Sequence, residues 1–431
     1  MDFNILTLGC KVNQYESQAM REDLLRNGYN LSKNKDKADI TVINTCTVTS
    51  VSDAKNRKLI HRVRRQNPDG IIVLTGCMPQ AFPEEMKELD ECDIILGNKE
   101  RSKLVPAIKA YLADKAVLVD IPEYHNRGDL FENLTVSSFG EHTRAFIKIE
   151  DGCNRFCSYC IIPYARGRVR SKPIDALKNE LENVALSGYR EVVLVGINLS
   201  AYGLGEDYNL ADAVETACAV DGIERVRLGS IEPEQMDKEL IARLAAQKKL
   251  CPQFHLSLQS GCDKTLKTMN RHYDTNEYAE IVSNLRAAFP NSSMTTDVMV
   301  GFAGESEEDF QASMAFVKQI GFAKVHVFPY SIRKGTRAES LPDHVSPSEK
   351  ERRAKLMGEL VEMSRRKFLR SQIGLIEEVL FERLRHGYLE GYTKNYTPVH
   401  LASDDTSLCG EVRRVRLVAV MDDCCEGELA D

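Results

Sequence analysis

The residues best suited to chemistry are three cysteines in one short segment, Cys153, Cys157 and Cys160. Their C-x3-C-x2-C spacing comes just after the apolar segment 144–149, which is typical of a strand. Three thiolates can bind three irons of a [4Fe–4S] cluster, and the fourth iron then stays open, whereas ferredoxins usually supply four thiolates. The alternative is a three-cysteine zinc site with a further ligand, although zinc sites favour paired C-x2-4-C spacings and no second pair is visible.

Three more cysteines, Cys10, Cys46 and Cys77, each follow a predicted strand closely. The carboxyl ends of parallel strands meet at one edge of a sheet, where ligands bind, so we expect these thiols to converge. The residue before each is Gly or Thr, which suits a backbone that approaches a bulky inorganic ligand. The pattern predicts a second three-cysteine cluster, with buried structural cysteines as the alternative.

The elements that must position these cysteines indicate an α/β protein of several domains. Residues 1–120 alternate short strands and helices, which predicts a doubly wound parallel sheet, and residues 121–140 are predicted as a linker. Residues 141–370 repeat strand and helix, which predicts a partial (βα)6 barrel with its site at the carboxyl ends of the strands and a basic helix at its end. Residues 371–431 predict a small antiparallel β-barrel.

Composition limits the class of protein. The 431 residues are 43% hydrophobic and 28% charged, which is typical of a soluble globular chain. A net charge of −7 excludes a uniformly cationic nucleic-acid binder but allows local basic patches. We expect no membrane span and no signal peptide. The thirteen cysteines favour metal or redox chemistry in a reducing, cytoplasmic compartment, and nothing demands an oligomer, so a monomer is expected.

Together, these motifs resemble the methylthiotransferase family of radical S-adenosylmethionine (SAM) enzymes over essentially the whole chain. The order of a three-cysteine domain, a radical SAM barrel and a C-terminal TRAM-type barrel is similar to that family. The segment 7–17, TLGCKVNQYES, looks like the branch that acts on N6-threonylcarbamoyladenosine (t6A) in tRNA, as do segments 149–154 and 161–167. Members that act on isopentenyladenosine tend to have Gly-Cys-Gln-Met-Asn at this point, and those that act on ribosomal protein S12 tend to have Gly-Cys-Pro-Lys-Asn.

The resemblance implies two [4Fe–4S] clusters, SAM, and transfer of a methylthio group to C2 of t6A at tRNA position 37. One SAM gives its methyl to sulfur on the cluster of Cys10, Cys46 and Cys77. The other, on the second cluster, yields the 5′-deoxyadenosyl radical, so the hard chemistry belongs to the cofactor. Implied partners are the tRNA anticodon stem-loop, a sulfur donor and a low-potential electron donor such as flavodoxin or ferredoxin.

Positions in the family also imply contacts with SAM. They fall at Tyr159, Gly196 and Asn198. Further candidates are the polar residues on or after predicted strands near the expected mouth of the barrel, namely Ser230, Glu232, Gln259 and Asp297. Related enzymes have Gly-Gly-Glu where this chain has Gly196-Ile197-Asn198, so a charged contact there is in doubt, although an asparagine still accepts hydrogen bonds. Polar residues at strand ends are also common helix caps.

Two basic helices predict contacts with RNA phosphates, since such contacts depend on local charge. The predicted RNA-binding residues are Arg57, Lys58, Arg62, Arg65, Arg166, Arg168, Arg352 and Arg353. One of the arginines at 166, 168 and 170 is also a candidate for the carboxylate of the threonylcarbamoyl group. The alternative for each residue is a solvated surface.

Other functions stay open at this point. They are methylthiolation of isopentenyladenosine in tRNA, methylthiolation of ribosomal protein S12, sulfur insertion like that of lipoyl synthase, and a non-catalytic zinc- and RNA-binding role. Of the cysteines outside the two sets, Cys424 and Cys425 are predicted to form a surface thiol pair, and Cys262 is predicted near the barrel mouth.

Overall fold

The computed structural model describes residues 1–34, 37–125, 128–140 and 143–430, and it confirms the predicted α/β fold. The N-terminal unit alternates strands and helices as expected. Its elements are β1 (Asp2–Thr7), α1 (Lys11–Arg26), β2 (Asn30–Leu31), β3 (Ile40–Thr45), α2 (Ser50–Gln66), β4 (Ile71–Gly76), α3 (Cys77–Ala81), α4 (Pro83–Met86), β5 (Ile94–Leu96), α5 (Leu104–Asp114) and β6 (Leu118–Asp120).

The six strands of this unit pair in parallel in the order β2-β1-β3-β4-β5-β6. Every residue of β3 and β4 is buried, because helices cover both faces of a doubly wound sheet and the central strands must be apolar on both sides. The two outermost strands, β2 and β6, were not predicted. Both are edge strands of only two or three residues, and none of their residues is buried.

The central unit carries the second set of cysteines. Its elements are β7 (Arg144–Lys148), β8 (Glu150–Asp151), α6 (Ile162–Arg166), β9 (Arg170–Ser171), α7 (Ile174–Leu186), β10 (Glu191–Val195), α8 (Leu210–Ala219), β11 (Arg225–Leu228), β12 (Ser230–Ile231), α9 (Lys238–Ala245), β13 (Gln253–Leu256), α10 (Asp263–Thr268), α11 (Thr275–Ala288), β14 (Ser293–Val300), α12 (Glu307–Ile320), β15 (Lys324–Pro329) and α13 (Pro347–Ser371).

These strands form an open, partial parallel barrel. One sheet has the order β11-β10-β7 and the next has the order β12-β13-β14-β15, and only Gly229 separates β11 from β12. The barrel is open between β7 and β15. Helix α1 packs against β7 and helix α13 packs against β15, so the N-terminal unit and the basic helix flank the opening.

The C-terminal unit is a closed five-stranded barrel in the order β16-β17-β18-β20-β19. Its strands are β16 (Ile376–Arg385), β17 (Tyr388–Thr393), β18 (Pro398–Ala402), β19 (Val412–Met421) and β20 (Cys424–Leu429). Strand β20 was not predicted, and it pairs with β18 in parallel, unlike the other pairs. The prediction of a surface thiol pair is wrong, because Cys424 and Cys425 are buried in this strand.

The segment predicted as a linker packs against both neighbouring units. Val136 and Phe139 are buried in the core of the barrel unit, and the carbonyl oxygen of Leu134 accepts a hydrogen bond from Tyr15 of α1 at 2.5 Å. The predicted boundary at residue 141 and the last residue, 431, lie outside the described residues. In the described ranges, no helix is both long and apolar enough to span a membrane.

Candidate active site

The first set of predicted ligands lies at the carboxyl edge of the N-terminal sheet. Cys10 caps α1, Cys46 follows β3 and Cys77 begins α3. Two glycines permit this arrangement. Gly9 has a φ of +124°, and a Cβ there would lie 2.9 Å from the Cβ of Cys46. Gly76 has a φ of +102°, and a Cβ there would lie 2.5 Å from a backbone oxygen of β3.

Two thiols of this set, those of Cys46 and Cys77, are buried, whereas Cys10 is exposed. Burial raises the pKa of Cys77 to about 12, and Cys46 and Cys10 shift it in the same direction. The pKa of Cys46 is also raised, again mainly by burial. Because the thiolate is the form that binds iron, bound iron must offset the cost of charging these buried groups.

Arg166 connects this set to the barrel unit. The arginine is fully buried, and its Nε lies 3.3 Å from Sγ of Cys77. Its guanidinium also pairs with Glu16 of α1 at 2.8 Å and with Asp151 of β8 at 3.0 Å. A further bond of 3.1 Å goes to Oδ1 of Asn13, which also accepts from the thiol of Cys10 at 3.3 Å. One cation therefore contacts Cys77 directly and is linked to Cys10 through Asn13.

Glu16 is the buried anion at the centre of this network. It pairs with Arg101 at 2.8 Å, Lys148 at 2.7 Å and Arg166 at 2.8 Å. Burial alone would raise the pKa of Glu16, but these cations lower it to about 2. The network joins α1 to the inside of the barrel unit and holds the two cysteine sets in a fixed relation.

The second set lies in the loop between β8 and α6. Gly152 has a φ of +88°, and a Cβ there would lie 2.0 Å from the carbonyl oxygen of Arg168. The backbone N–H of Ser158 donates to the carbonyl oxygen of Met269 at 2.9 Å, which fixes the far side of the loop. Burial raises the pKa of Cys153 to about 12.

Arg271 is the cation of the second set. Its Nη1 lies 3.2 Å from Sγ of Cys157, and the guanidinium also pairs with Glu232. Burial raises the pKa of Glu232, although the charge of Arg271 opposes the shift. Glu232, predicted to contact SAM, is therefore engaged in positioning the arginine beside the cysteine.

Glu150 fixes the turn after β10. Its Oε2 accepts the backbone N–H of Asn198 at 2.7 Å, and a Cβ on Gly196 would lie 2.7 Å from the same oxygen. Burial raises the pKa of Glu150 to about 8. The amide of Asn198 lies 4.0 Å from Sγ of Cys153, so the turn is held directly against the second set.

A cavity of about 770 Å³ extends through the barrel to Cys10 of the first cysteine set. It is lined by Cys10, Gly196, Ser230 and Asp297 among the predicted site residues. The structure thus places three of the seven predicted SAM contacts in one space with a predicted cluster ligand. A volume of this size suits a ligand as large as a modified nucleoside.

The other predicted SAM contacts lie outside the wall of this cavity. Tyr159 packs edge-on against Phe302, with ring centroids 6.2 Å apart, next to the glycine-containing segment 301–305. Gln259 has a φ of +65° and pairs with Val298. Asn198 and Glu232 are the two residues already described beside the second set.

One lysine lies in the cavity next to a predicted cluster ligand. Lys11 follows Cys10 directly, and its Nζ lies 5.8 Å from the ring centroid of Phe146. Desolvation lowers the pKa of Lys11 to about 8, and the charges of Arg144 and Arg227 act in the same direction, whereas those of Glu191 and Cys10 oppose it. The residue nevertheless keeps an exposed surface.

The predicted RNA-binding residues divide into surface and interior groups. Arg166 and Arg353 do not lie at a surface that RNA can reach, since both are buried. Arg353 pairs with Glu305 at 2.7 Å and so anchors α13 to the barrel. The sequence pattern was misleading at these positions because it does not show which side of an element faces the interior.

Exposed cations remain on α2. Lys58, Arg62 and Arg65 lie on its surface, and none has a hydrogen bond or ion pair with another residue in the described ranges. Arg57 is exposed but pairs with Glu85 at 2.7 Å. On other elements, Arg352 pairs with Glu349 and Glu307, and the guanidinium of Arg168 lies 4.5 Å from the ring centroid of Phe156.

Sequence reasoning assigned no role to several residues that the structure places at the two cysteine sets. They are Asn13, Lys148, Glu150 and Arg271. Asn13 and Glu150 lie within the quoted motifs, close to cysteines, and so carried a signal. Arg271 is far from both sets in sequence, and only the fold brings it to Cys157.

The donor chemistry of both sets fits iron–sulfur clusters. Three soft thiol donors in each set suit iron, and guanidinium groups beside Cys77 and Cys157 suit an anionic cluster. In the part of the chain that the structure describes, no group of three or more His, Cys, Asp or Glu side chains is arranged to hold a metal ion.

Two family models match the chain. Residues 2–97 match "Uncharacterized protein family UPF0004", and residues 147–317 match "Radical SAM superfamily". These segments contain the first and second cysteine sets, respectively.

Curated proteins match over nearly the whole chain. "Threonylcarbamoyladenosine tRNA methylthiotransferase MtaB" of Aquifex aeolicus is 38% identical over 89% of this chain and 96% of its own length. The protein of the same name from Bacillus subtilis is 36% identical over 96% and 92%. A "tRNA-2-methylthio-N(6)-dimethylallyladenosine synthase" of Pelotomaculum thermopropionicum is 36% identical over 95% and 93%. The chain therefore belongs to the radical SAM methylthiotransferase family, in the branch of the threonylcarbamoyladenosine tRNA methylthiotransferases.

Solved structures support the fold. The radical S-adenosylmethionine methyltransferase TsrM from Kitasatospora setae has a TM-score of 0.58 and 12% identity, over 76% of this chain and 74% of its own. At this identity the likeness concerns the fold alone.

Proposed function

We propose that this protein adds a methylthio group to C2 of t6A at position 37 of tRNA, giving 2-methylthio-t6A. The observation that carries the proposal is the single cavity that joins Cys10 of the first set to Gly196 and Ser230, at the strand ends near the second set. The names of several curated relatives support the choice of nucleoside.

Two [4Fe–4S] clusters and SAM would supply, when bound, the site that carries the sulfur, the methyl group and the radical chemistry. Cys10, Cys46 and Cys77 hold one cluster, and Cys153, Cys157 and Cys160 hold the other. The chain's further contribution is to position the substrate in a cavity whose wall includes Cys10 and also Gly196, which belongs to the turn held against the second set.

Two arginines place positive charge beside the two cysteine sets. Arg166 and Arg271 each donate toward a cysteine sulfur, at 3.3 Å and 3.2 Å. Such hydrogen bonds to sulfur, together with burial, set the reduction potential of an iron–sulfur cluster. We assign both arginines to this positioning and electrostatic role.

The tRNA contributes its anticodon stem-loop, and the exposed cations of α2 support contact with its backbone. Flavodoxin or ferredoxin supplies electrons, a separate donor supplies sulfur, and the enzyme acts as a monomer in the cytoplasm. The domain boundaries proposed from sequence, 1–120, 141–370 and 371–431, separate the first cluster, the radical SAM barrel and the C-terminal barrel.

Mass spectrometry of tRNA nucleosides tests the function. A strain that lacks the gene should lose 2-methylthio-t6A and accumulate t6A. The intact gene and a Cys218→Ala control should restore the product, whereas Cys157→Ala should not, since Cys218 lies on α8, outside both sets. Unchanged 2-methylthio-t6A would contradict the proposal, and loss of a methylthiolated isopentenyladenosine instead would identify the other tRNA branch.

A further inference from the structure

We propose that Lys11 binds the carboxylate of the threonylcarbamoyl group and thereby selects t6A over adenosines with uncharged substituents. This inference rests on the proposed function and names a specificity residue for it. The hypothesis that Arg166 meets this carboxylate does not hold, because Arg166 is buried and already pairs with Glu16 and Asp151.

The first argument is position. The adenine carbon that receives sulfur must approach the cluster held by Cys10, and the substituent on N6 must then lie in the same cavity. Lys11 is the next residue after Cys10 and lines that cavity, and adjacent Cα atoms are only about 3.8 Å apart. The flexible lysine stem lets the ammonium reach the substituent while the base remains at the cluster.

The second argument is charge. The carboxylate is the only charged group on the modified base, and a buried charge is tolerated only when it is paired and hydrogen-bonded. Lys11 has no ion pair and no hydrogen bond with any residue of the described ranges, so its ammonium is available to a ligand. An apolar substituent would leave this ammonium unpaired, and a site built for a polar group rejects analogues that lack it.

Other cations that line the cavity are less suited to bind the carboxylate of the threonylcarbamoyl group. Arg227 is occupied by Glu191 at 2.9 Å and by the carbonyl oxygen of Lys394 at 3.0 Å. Lys324 also lines the cavity, but it begins β15 and lies at the amino ends of the strands. The charges of Arg144 and Glu191 at these ends also act on Lys11, but the backbone of Lys11 follows Cys10 directly and so starts beside the predicted cluster, where the reacting carbon must be.

The experiment compares two stem-loop RNAs. One carries t6A, and the other carries the same nucleoside with its carboxylate replaced by a carboxamide. Affinity is measured by fluorescence anisotropy on the cluster-loaded enzyme without reductant, so that binding is separated from turnover. Methylthiolation of both RNAs is then measured under reducing conditions, and iron content confirms that each variant retains its clusters.

We expect Lys11→Met to weaken binding of the t6A RNA by roughly 10- to 100-fold, the range for a charge-assisted hydrogen bond, and to leave the carboxamide RNA within about twofold. Lys11→Arg should retain most of the preference, and Lys11→Gln provides a second neutral variant in case Lys11→Met loses a cluster. Lys178→Met, on the exposed surface of α7, controls for the loss of one positive charge.

Three results would overturn the inference. Equal weakening for both RNAs would assign Lys11 to the RNA backbone or to structure, and no weakening would place the carboxylate elsewhere. A selective loss in Lys324→Met but not in Lys11→Met would transfer the role to Lys324. If the wild-type enzyme methylthiolates neither RNA, the proposed function itself fails, whereas an active wild type with an unselective Lys11 effect rejects this inference alone.

Discussion

At the scale of single residues, the site depends on buried cations that face cysteine sulfur atoms. Arg271 contacts Cys157 and Glu232, and only 4% of its side chain is exposed. Arg271 supports the fold because its removal would leave the carboxylate of Glu232 without its partner. It supports the cluster because it lies beside Cys157. Loss of stability and loss of the cluster can be measured separately.

We expect Arg271→Met to lower the free energy of unfolding by about 3–5 kcal/mol, the usual result of breaking a buried ion pair. It should also reduce iron in the second set and therefore reductive cleavage of SAM. Chemical denaturation and assay of 5′-deoxyadenosine measure the two effects. Lys264→Met is the matched control, since Lys264 pairs with Asp309 at an exposed position where a salt bridge contributes about 0–1 kcal/mol. Equal stability of the two variants would contradict this role for Arg271.

For the first cysteine set, the corresponding prediction concerns Gly76. Gly76→Ala should remove the first cluster and leave the second, so that iron per chain falls by roughly half. The reason is both the positive φ, which an alanine adopts only with strain, and a Cβ that would lie 2.5 Å from the backbone of β3.

Iron analysis and the ability to cleave SAM measure this outcome. Gly28→Ala is the control, because Gly28 also has a positive φ, of +85°, but a Cβ there meets nothing within 4 Å. Similar iron loss in both variants would show that strain alone, and not crowding beside the cysteines, is responsible.

At the scale of elements, α2 presents the unpaired cations Lys58, Arg62 and Arg65 on one exposed surface. Replacing all three by alanine should weaken tRNA binding and reduce the slope of log K against log salt by about 2 to 3, since each phosphate contact contributes about 0.7–0.9. Methylthiolation at saturating tRNA should change little, because α2 does not line the cavity.

Affinity measured across a salt series tests this prediction. The matched control replaces Lys178, Lys238 and Lys318, which are exposed on the outer helices α7, α9 and α12. If both triple variants reduce the slope equally, the attraction is a property of net charge and not of α2.

The sequence was most informative where periodicity and burial act together. Strand β10 is easily recognised because its apolar run, EVVLV, is fully buried and ends just before Gly196. The two cysteine sets were predictable from spacing and from strand ends. Strand β20 was missed because its sequence, CCEGEL, is acidic and contains glycine. The roles of Arg166 and Arg271 were missed because tertiary packing, and not local pattern, decides which charges are buried together.

At the scale of the whole molecule, one buried cluster joins the amino end of the central barrel to the C-terminal barrel. Glu191 pairs with Arg227 at 2.9 Å and lies 3.7 Å from Arg225. The two arginines also donate to backbone oxygens of the C-terminal unit, including that of Lys394 at 3.0 Å. Tyr396 from the same unit lines the cavity, so this contact connects domain packing to the shape of the site.

The pKa of Glu191 indicates how this contact responds to pH. Burial would raise the pKa, but the arginines hold it below its ordinary value of 4.5. A carboxyl whose pKa is lower in the folded state stabilises the protein above the unfolded-state pKa. That contribution is lost as the pH falls through the folded-state pKa. The stabilisation is therefore complete at neutral pH and is lost only below about pH 4.5.

We expect Glu191→Gln to lower the free energy of unfolding at pH 7 by about 1–3 kcal/mol, because the amide keeps a hydrogen bond but loses the charge. The difference from wild type should narrow as the pH falls below 4.5. Circular dichroism of the iron-free protein measures unfolding, since the chain has no tryptophan to report it and iron-free protein avoids acid loss of the clusters. Glu239→Gln on the exposed surface of α9 is the control. A constant difference across the whole pH range would show that the charge of Glu191 does not hold the two barrels together.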